Sequence, residues 1–249
     1  MRKVSIIGIG AGNPDYLTLQ AIKAIGAAEV FFIPDKGEEK AALRAVREEM
    51  LARHAAAEHR LAAFVVPERR TVPTYAAGVA AWRGELRDTY RRLLEEELGE
   101  DGHGAFLVWG DPALYDGTIA ILEDIHLSGF PLEIQSIAGI SAVSALCAAH
   151  RVPLNRTGEA ITITTARRVL NGEADGLTSF VVMLDSEGAW KRFAGEDAEI
   201  FWGAYLGMGE ELLVSGQMAD VADEIDRVRA AARARNGWVM DTYMVRRKL

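Results

Sequence analysis

An apolar run, Val4, Ile6, Ile7 and Ile9, feeds into a turn carrying Gly8, Gly10 and Gly12, and Asn13, Pro14, Leu17 and Thr18 follow before Ala21, Ile22 and Ile25 recur at helical spacing. This is a strand that ends in a glycine-rich turn and passes to a helix. Alternate glycines let the backbone take positive φ and come closer to a ligand than side chains would permit. A flat or phosphorylated ligand, or a plain turn with no ligand, would each suit it.

A dinucleotide cradle needs a third glycine three positions after the second, and an acid roughly 20 residues further on for the ribose hydroxyls. Asn13 occupies the glycine position and Pro14 follows, while Asp35 does stand at the end of the next apolar run, Val30 to Ile33. Proline has no N–H for a pyrophosphate at a helix start, which disfavours the phosphate reading.

Downstream, apolar and charged stretches alternate. Helices are expected over 39–59 and 76–99, with a short apolar segment at Leu61 to Val66 between them. A strand (105–109), a helix (118–127), a strand (132–136) and a helix (140–149) follow. That order implies an α/β fold with a mainly parallel sheet. His150 to Thr157, with Pro153 and Asn155, is the best boundary, dividing the chain into 1–155 and 156–249. Beyond it, strands are expected at 160–165, 178–184, 198–205, 211–214 and 238–245. One amphipathic helix spans 219–236, its stripe formed by Val221, Ala222, Ile225, Val228 and Ala232, with Gly237 closing it.

A chain of 249 residues with 49% hydrophobic content can bury one large core or two smaller ones. The net charge of −8 argues against nucleic acid or an anionic membrane as principal partner. No apolar run approaches the roughly 20 residues of a spanning helix, and the N-terminus shows no cleavable signal, so a cytoplasmic protein is expected. The single Cys147 cannot form an internal disulfide, and five scattered histidines give neither metal-ligand spacing nor a hydrolytic triad.

Arginine outnumbers lysine, 22 to 6, in this acidic chain. Arginine grips carboxylates bidentately, so a polycarboxylate ligand would call for a local cluster. Arg69, Arg70, Arg151 and Arg156, with the pair Arg167 and Arg168, stand in loop-like segments where one could form. Arg44, Arg47, Arg87, Arg91 and Arg227 fall on helical faces beside acids and read as solvated charge, as does Arg229, and codon bias would equally favour arginine.

Three ordered motifs carry a resemblance. The Gly8 to Thr18 turn, the loop Gly110, Asp111, Pro112, Ala113, Leu114, Tyr115, Asp116, Gly117, and the turn Ile137, Ala138, Gly139, Ile140, Ser141, Ala142 together resemble the tetrapyrrole methylase family. Ala138 stands where the family usually has proline. The resemblance implies two domains, an N-terminal parallel α/β sheet and a C-terminal mixed-sheet α/β domain, with S-adenosylmethionine in the cleft between them. It implies methyl transfer to a tetrapyrrole without metal, and commonly a homodimer. The length of 36–104, the sequence Asp111 to Thr118 and the ending Gly237 to Tyr243 single out a corrin-forming subgroup that also releases acetate.

By family position the cofactor meets Ala11, Pro14, Gly110, Asp111, Leu114, Ser141, Ala142, Leu184, Tyr205 and Thr242. Asp111 and Tyr115 are the candidate catalytic residues. Equally open are local loop-tying by the Asp111 carboxylate and packing by Tyr115. His150 is a candidate base or an ordinary interdomain histidine. Still in contention are a different ring position, a modified protein histidine or ribosomal RNA ribose as acceptor, and a nucleotide-binding module with no catalysis.

Overall fold

The computed structural model describes residues 1–35, 41–68 and 75–248. The chain divides into two compact units, one comprising Met1–Gly10 and Pro14–Ile140 and the other Ala11–Asn13 and Ser141–Leu249. The division at Ile140 falls before the boundary expected at His150 to Thr157. The intervening helix packs on strands of the second unit: Gly203, which has no Cβ, leaves room for the Leu146 side chain.

In the first unit, β1 (Arg2–Gly8), β2 (Val30–Asp35), β3 (Arg60–Val65), β4 (His103–Val108) and β5 (Leu132–Ile137) form a sheet in the order β3-β2-β4-β1-β5. Every pairing is parallel. α1 (Leu19–Ala27) and α2 (Ala41–His54) cover one face, where Ile7, Ile9, Phe31, Ile33, Ala105 and Leu107 are buried. α3 (Tyr75–Glu96) and α4 (Thr118–Leu127) cover the other, over Val4, Ile6, Phe32, Phe106 and Val108. Alternate residues of each strand thus serve opposite cores, the two-sided burial that parallel sheets require.

The β1–α1–β2 crossover passes β4 on one face of the sheet, and the β4–α4–β5 crossover passes β1 on the other, so the chain leaves the carboxyl ends of neighbouring β1 and β4 toward opposite faces, a switch point. Open α/β sheets bind ligands there. Both β1 and β4 run into glycine-bearing loops at that point.

The second unit holds α5 (Ala142–His150), β6 (Thr162–Thr165), α6 (Ala166–Leu170), β7 (Ser179–Met183), β8 (Ala198–Ala204), β9 (Leu212–Gln217), α7 (Met218–Asn236) and β10 (Asp241–Arg247). Its sheet runs β6-β7-β10-β8-β9, parallel only between β6 and β7. α7 packs on the face bearing Ile200 and Trp202, burying Met218, Ile225 and Ala232, and it ends where expected on Gly237 at φ 77°. The stripe is the one the spacing predicts, extended by a turn to Met218. Two short elements have no counterpart in the sequence reading, α6 and a 3-10 turn over Ala189–Phe193.

Candidate active site

In the first unit the three motifs meet as backbone against backbone. Gly110 N–H donates to the Gly10 carbonyl at 2.8 Å, and Gly10 N–H donates to that of Gly110 at 3.2 Å. A Cβ on Gly8 would lie 2.6 Å from Gly139 N and 2.9 Å from Gly110 O. Glycine at 8 and 139, where a Cβ would strike backbone, and the Gly110 backbone at φ 72° therefore allow three chain segments to touch at the switch point.

Asp111 ties this cluster together. One carboxylate oxygen accepts from Ala113 N–H at 2.7 Å, and the other accepts from Gly139 N–H at 2.9 Å, 28 residues away. Of the two roles open to it, loop-tying is the one the geometry displays. Asp111→Asn keeps one acceptor oxygen and turns an amide N–H toward a backbone N–H, leaving a donor unsatisfied at a cost of about 1–3 kcal/mol. Cofactor affinity and kcat should then fall together in calorimetry and initial rates. A fall in kcat alone would instead mark Asp111 as a proton-transfer group.

Leu114 N–H closes a turn on the Asp111 carbonyl at 3.1 Å, and Tyr115, 46% exposed, follows with φ 54°. Among the described residues four non-glycine residues have positive φ: Tyr115, Arg151, Leu184 and Tyr205. All four are candidate site positions, and Arg151 also caps α5. Each such conformation costs on the order of 1 kcal/mol or more and persists only where neighbours over-determine it, so such residues concentrate at functional sites.

In the second unit, antiparallel register brings the ends of β7 and β8 and the start of β10 to the same edge: Thr242 pairs with Met183 and Gly203. Leu184, Tyr205 and Thr242 thus share one end of this sheet. Tyr205 N–H donates to the Met240 carbonyl at 3.0 Å, and its hydroxyl donates to the Trp238 carbonyl. A Cβ on Gly12, at φ 146°, would lie 2.9 Å from Leu206 O, so Ala11–Asn13 press on the turn after β8. Ser141 caps α5, its Oγ accepting from Ser144 N–H at 3.3 Å.

The glycine turn is not a phosphate cradle. Pro14–Tyr16 form a 3-10 turn, and α1 starts only at Leu19, capped by Thr18 Oγ1 accepting from Ala21 N–H at 3.0 Å. No helix N-terminus directly follows the glycines to offer the positive end that a pyrophosphate uses.

The profile of the tetrapyrrole (corrin/porphyrin) methylases matches residues 3–222. The chain belongs to this family. A precorrin-6A synthase [deacetylating] of Sinorhizobium sp. is 47% identical over 252 residues, covering 99% of this chain and 96% of the relative. The crystal structure of a cobalamin synthesis related protein (CobF) from Corynebacterium diphtheriae superposes with a TM-score of 0.85 at 35% identity, covering 99% of this chain and 98% of the other. Uroporphyrin-III C-methyl transferase from Thermus thermophilus, complexed with S-adenosylhomocysteine, shares the fold, with a TM-score of 0.60 at 16% identity over 98% of this chain and 96% of the other. The cofactor of this tetrapyrrole methylase is S-adenosylmethionine.

Several arginine expectations change. Arg69 and Arg70 lie outside the described residues. Arg156 is engaged within its unit, donating to the Arg247 carbonyl at 3.2 Å and lying 3.8 Å from Glu159. Arg151 is exposed, at the end of α5. Arg47, expected to be solvated, is 8% exposed: it donates to the carbonyls of Leu107 and Leu43 and lies over the Trp109 ring. Burial pushes its guanidinium down to about 10 against the pull of Asp116. Arg229, expected to be solvated like Arg227, is 12% exposed and paired with Asp241 at 2.9 Å, while Arg227 is 73% exposed.

His150 lies wholly within the second unit, its Nε2 3.0 Å from the Trp202 carbonyl and its ring edge-on to Phe201. A carbonyl only accepts, so Nε2 carries the proton, and partial burial lowers the ring's basicity. Sequence reasoning missed Asp185, whose carboxylate accepts three backbone N–H groups, from Glu187, Gly188 and Ala189 at 2.7–2.8 Å. An acid directly after a strand and three before a glycine was the available signal.

Proposed function

We propose that this chain transfers a methyl group from S-adenosylmethionine to ring carbon 1 of precorrin-5 and releases acetate, giving precorrin-6A in aerobic cobalamin biosynthesis. The observation that carries this reading is the 47% identity, end to end, with a precorrin-6A synthase [deacetylating]. Bound S-adenosylmethionine would supply an electrophilic methyl, with S-adenosylhomocysteine as the group that leaves when the ring carbon attacks in line. The protein's part is to hold acceptor and methyl in line and exclude bulk water. Acetate release requires water to add to the acetyl carbonyl and the acetyl–ring bond to break, its electron pair passing to the ring, where it can serve as nucleophile.

Ala11, Pro14, Gly110, Asp111, Leu114, Ser141, Ala142, Leu184, Tyr205 and Thr242 are the candidates for cofactor contact, a reading supported at Gly110 by its close backbone approach to Gly10 and at Leu184 and Tyr205 by their left-handed backbone. Tyr115, exposed on a constrained backbone, is the candidate to orient substrate or move a proton. Arg151 is the described loop arginine most available to a substrate carboxylate. Net charge −8 supports a small-molecule substrate over nucleic acid, and no helix among the described residues is long and apolar enough to cross a membrane. A cytoplasmic homodimer completes the reading, and equilibrium sedimentation tests the dimer.

Incubation of the protein with S-adenosylmethionine and precorrin-5 should yield one equivalent each of S-adenosylhomocysteine, acetate and methylated product by mass spectrometry. Methylation without acetate would point to another ring position, and cofactor binding without turnover to a non-catalytic module. Arg151→Gln should raise KM about tenfold if it meets a carboxylate, with Arg227→Gln unchanged.

A further inference from the structure

Behind two of the candidate cofactor positions stands a buried charged network. Asp185 follows Leu184 and Asp241 precedes Thr242, and both carboxylates are buried. Arg229 reaches from α7 to both segments: its Nε donates to Asp241 Oδ2 at 2.9 Å, and one terminal nitrogen donates to the Asp185 main-chain carbonyl at 2.7 Å. Its guanidinium lies over the Trp190 ring, 5.4 Å from the centroid. Trp202 Nε1 donates to the same Asp241 oxygen at 3.1 Å, and the Tyr243 hydroxyl donates to Asp185 Oδ2 at 2.9 Å. Burial holds the Tyr243 hydroxyl well above its usual range, so it remains a donor, and lifts Asp241 despite the pull of Arg229.

A buried ion pair is a weak source of stability, because desolvating two charges offsets their attraction. What a guanidinium does supply is direction, since its donors are fixed in one plane. Here that plane spans two backbone segments at the same sheet edge. Leu184 needs such support: it is 65% exposed, has φ 57°, and gains little from packing its own side chain.

We propose that Arg229 is a positioning residue for cofactor binding: by gripping Asp241 and the Asp185 carbonyl together, it sets the backbone of Leu184 and Thr242. This rests on the reading that those two residues meet S-adenosylmethionine. The role differs from that of Arg247, which at the opposite end of β10 binds Glu196 at 2.5 Å and the Ala174 carbonyl at 2.9 Å.

Titration calorimetry with S-adenosylhomocysteine, paired with thermal melts, tests it. Arg229→Met should weaken affinity by about tenfold or more, because the cofactor must then order these segments itself. Arg247→Met should lower Tm comparably and leave affinity within about twofold. Arg229→Lys keeps the charge but offers one ammonium to acceptors on two segments, so it should recover much of the Tm and little of the affinity; it also serves if the Met variant fails to fold. Equal affinity losses at 229 and 247, or full recovery of affinity by lysine, would overturn the proposal. Leu184→Glu, at an exposed position, separates the premise: undiminished affinity in that variant means that the assignment of Leu184 to the cofactor has failed, whatever Arg229 does.

Discussion

Gly139→Ala will destabilise the first unit by about 3 kcal/mol, at the upper end of overpacking costs, and abolish S-adenosylhomocysteine binding. The added Cβ would overlap the Gly110 carbonyl oxygen and lie 2.8 Å from the Gly8 Cα. All three neighbours are backbone, held by the β1–β4 and β1–β5 ladders and by the Asp111 carboxylate, so none can rotate away as a side chain could. A drop in Tm of roughly 10 °C follows for a chain of this size. Gly84→Ala is the matching comparison: nothing lies within 4 Å of its Cβ in the middle of α3, so alanine should stabilise by about 0.5–1 kcal/mol. If calorimetric scans show the two alanines behaving alike, the close approach of the three motifs is not what the glycines serve.

In the second unit the largest loss is expected at Asp185. Alanine there strands the N–H groups of Glu187, Gly188 and Ala189 and the Tyr243 hydroxyl, all four now directed at one carboxylate. Stranding that set should cost about 4 kcal/mol, since each charge-assisted bond contributes about 1.5–3 kcal/mol and water recovers part of the loss. Asp185→Asn retains one acceptor oxygen and should lose about half as much. Urea unfolding measures both, and a loss below about 1 kcal/mol in the alanine variant would mean that the loop holds its shape without the carboxylate. If Leu184 meets the cofactor as proposed, S-adenosylhomocysteine affinity should fall in step, since the loop after its left-handed backbone loses its anchor.

Much of the architecture was legible because it is periodic or punctuated. The strand, glycine turn and helix of residues 2–27 follow from an apolar run, three glycines and a Thr18 cap, and α7 follows from its stripe and the terminal Gly237. α6 and the 3-10 turn at Ala189–Phe193 were not, since five residues are too few to display a period. The misread arginines carried a signal that charge obscured. Arg229 sits four residues after Ile225 and three before Ala232, and Arg47 three before Met50 and four before Leu51, each on a buried stripe. Acids nearby in sequence made both look solvated, yet helical spacing pointed them inward.

The amino-acid sequence by itself determined most of the strand and helix order of both units, the presence of the three glycine-bearing motifs, and the family to which they belong. Those are properties of local pattern, and local pattern survives in one dimension. Only the tertiary structure decided that Gly8, Gly110 and Gly139 touch, that Asp111 spends its carboxylate on holding them, and that Arg229 joins two strand ends. Strand order and register bring together residues 12 to over 100 positions apart, and the face to which each crossover leaves its strand creates the switch point. A side chain's partner is set by what the folded sheet edge presents to it, which no neighbour in the sequence encodes.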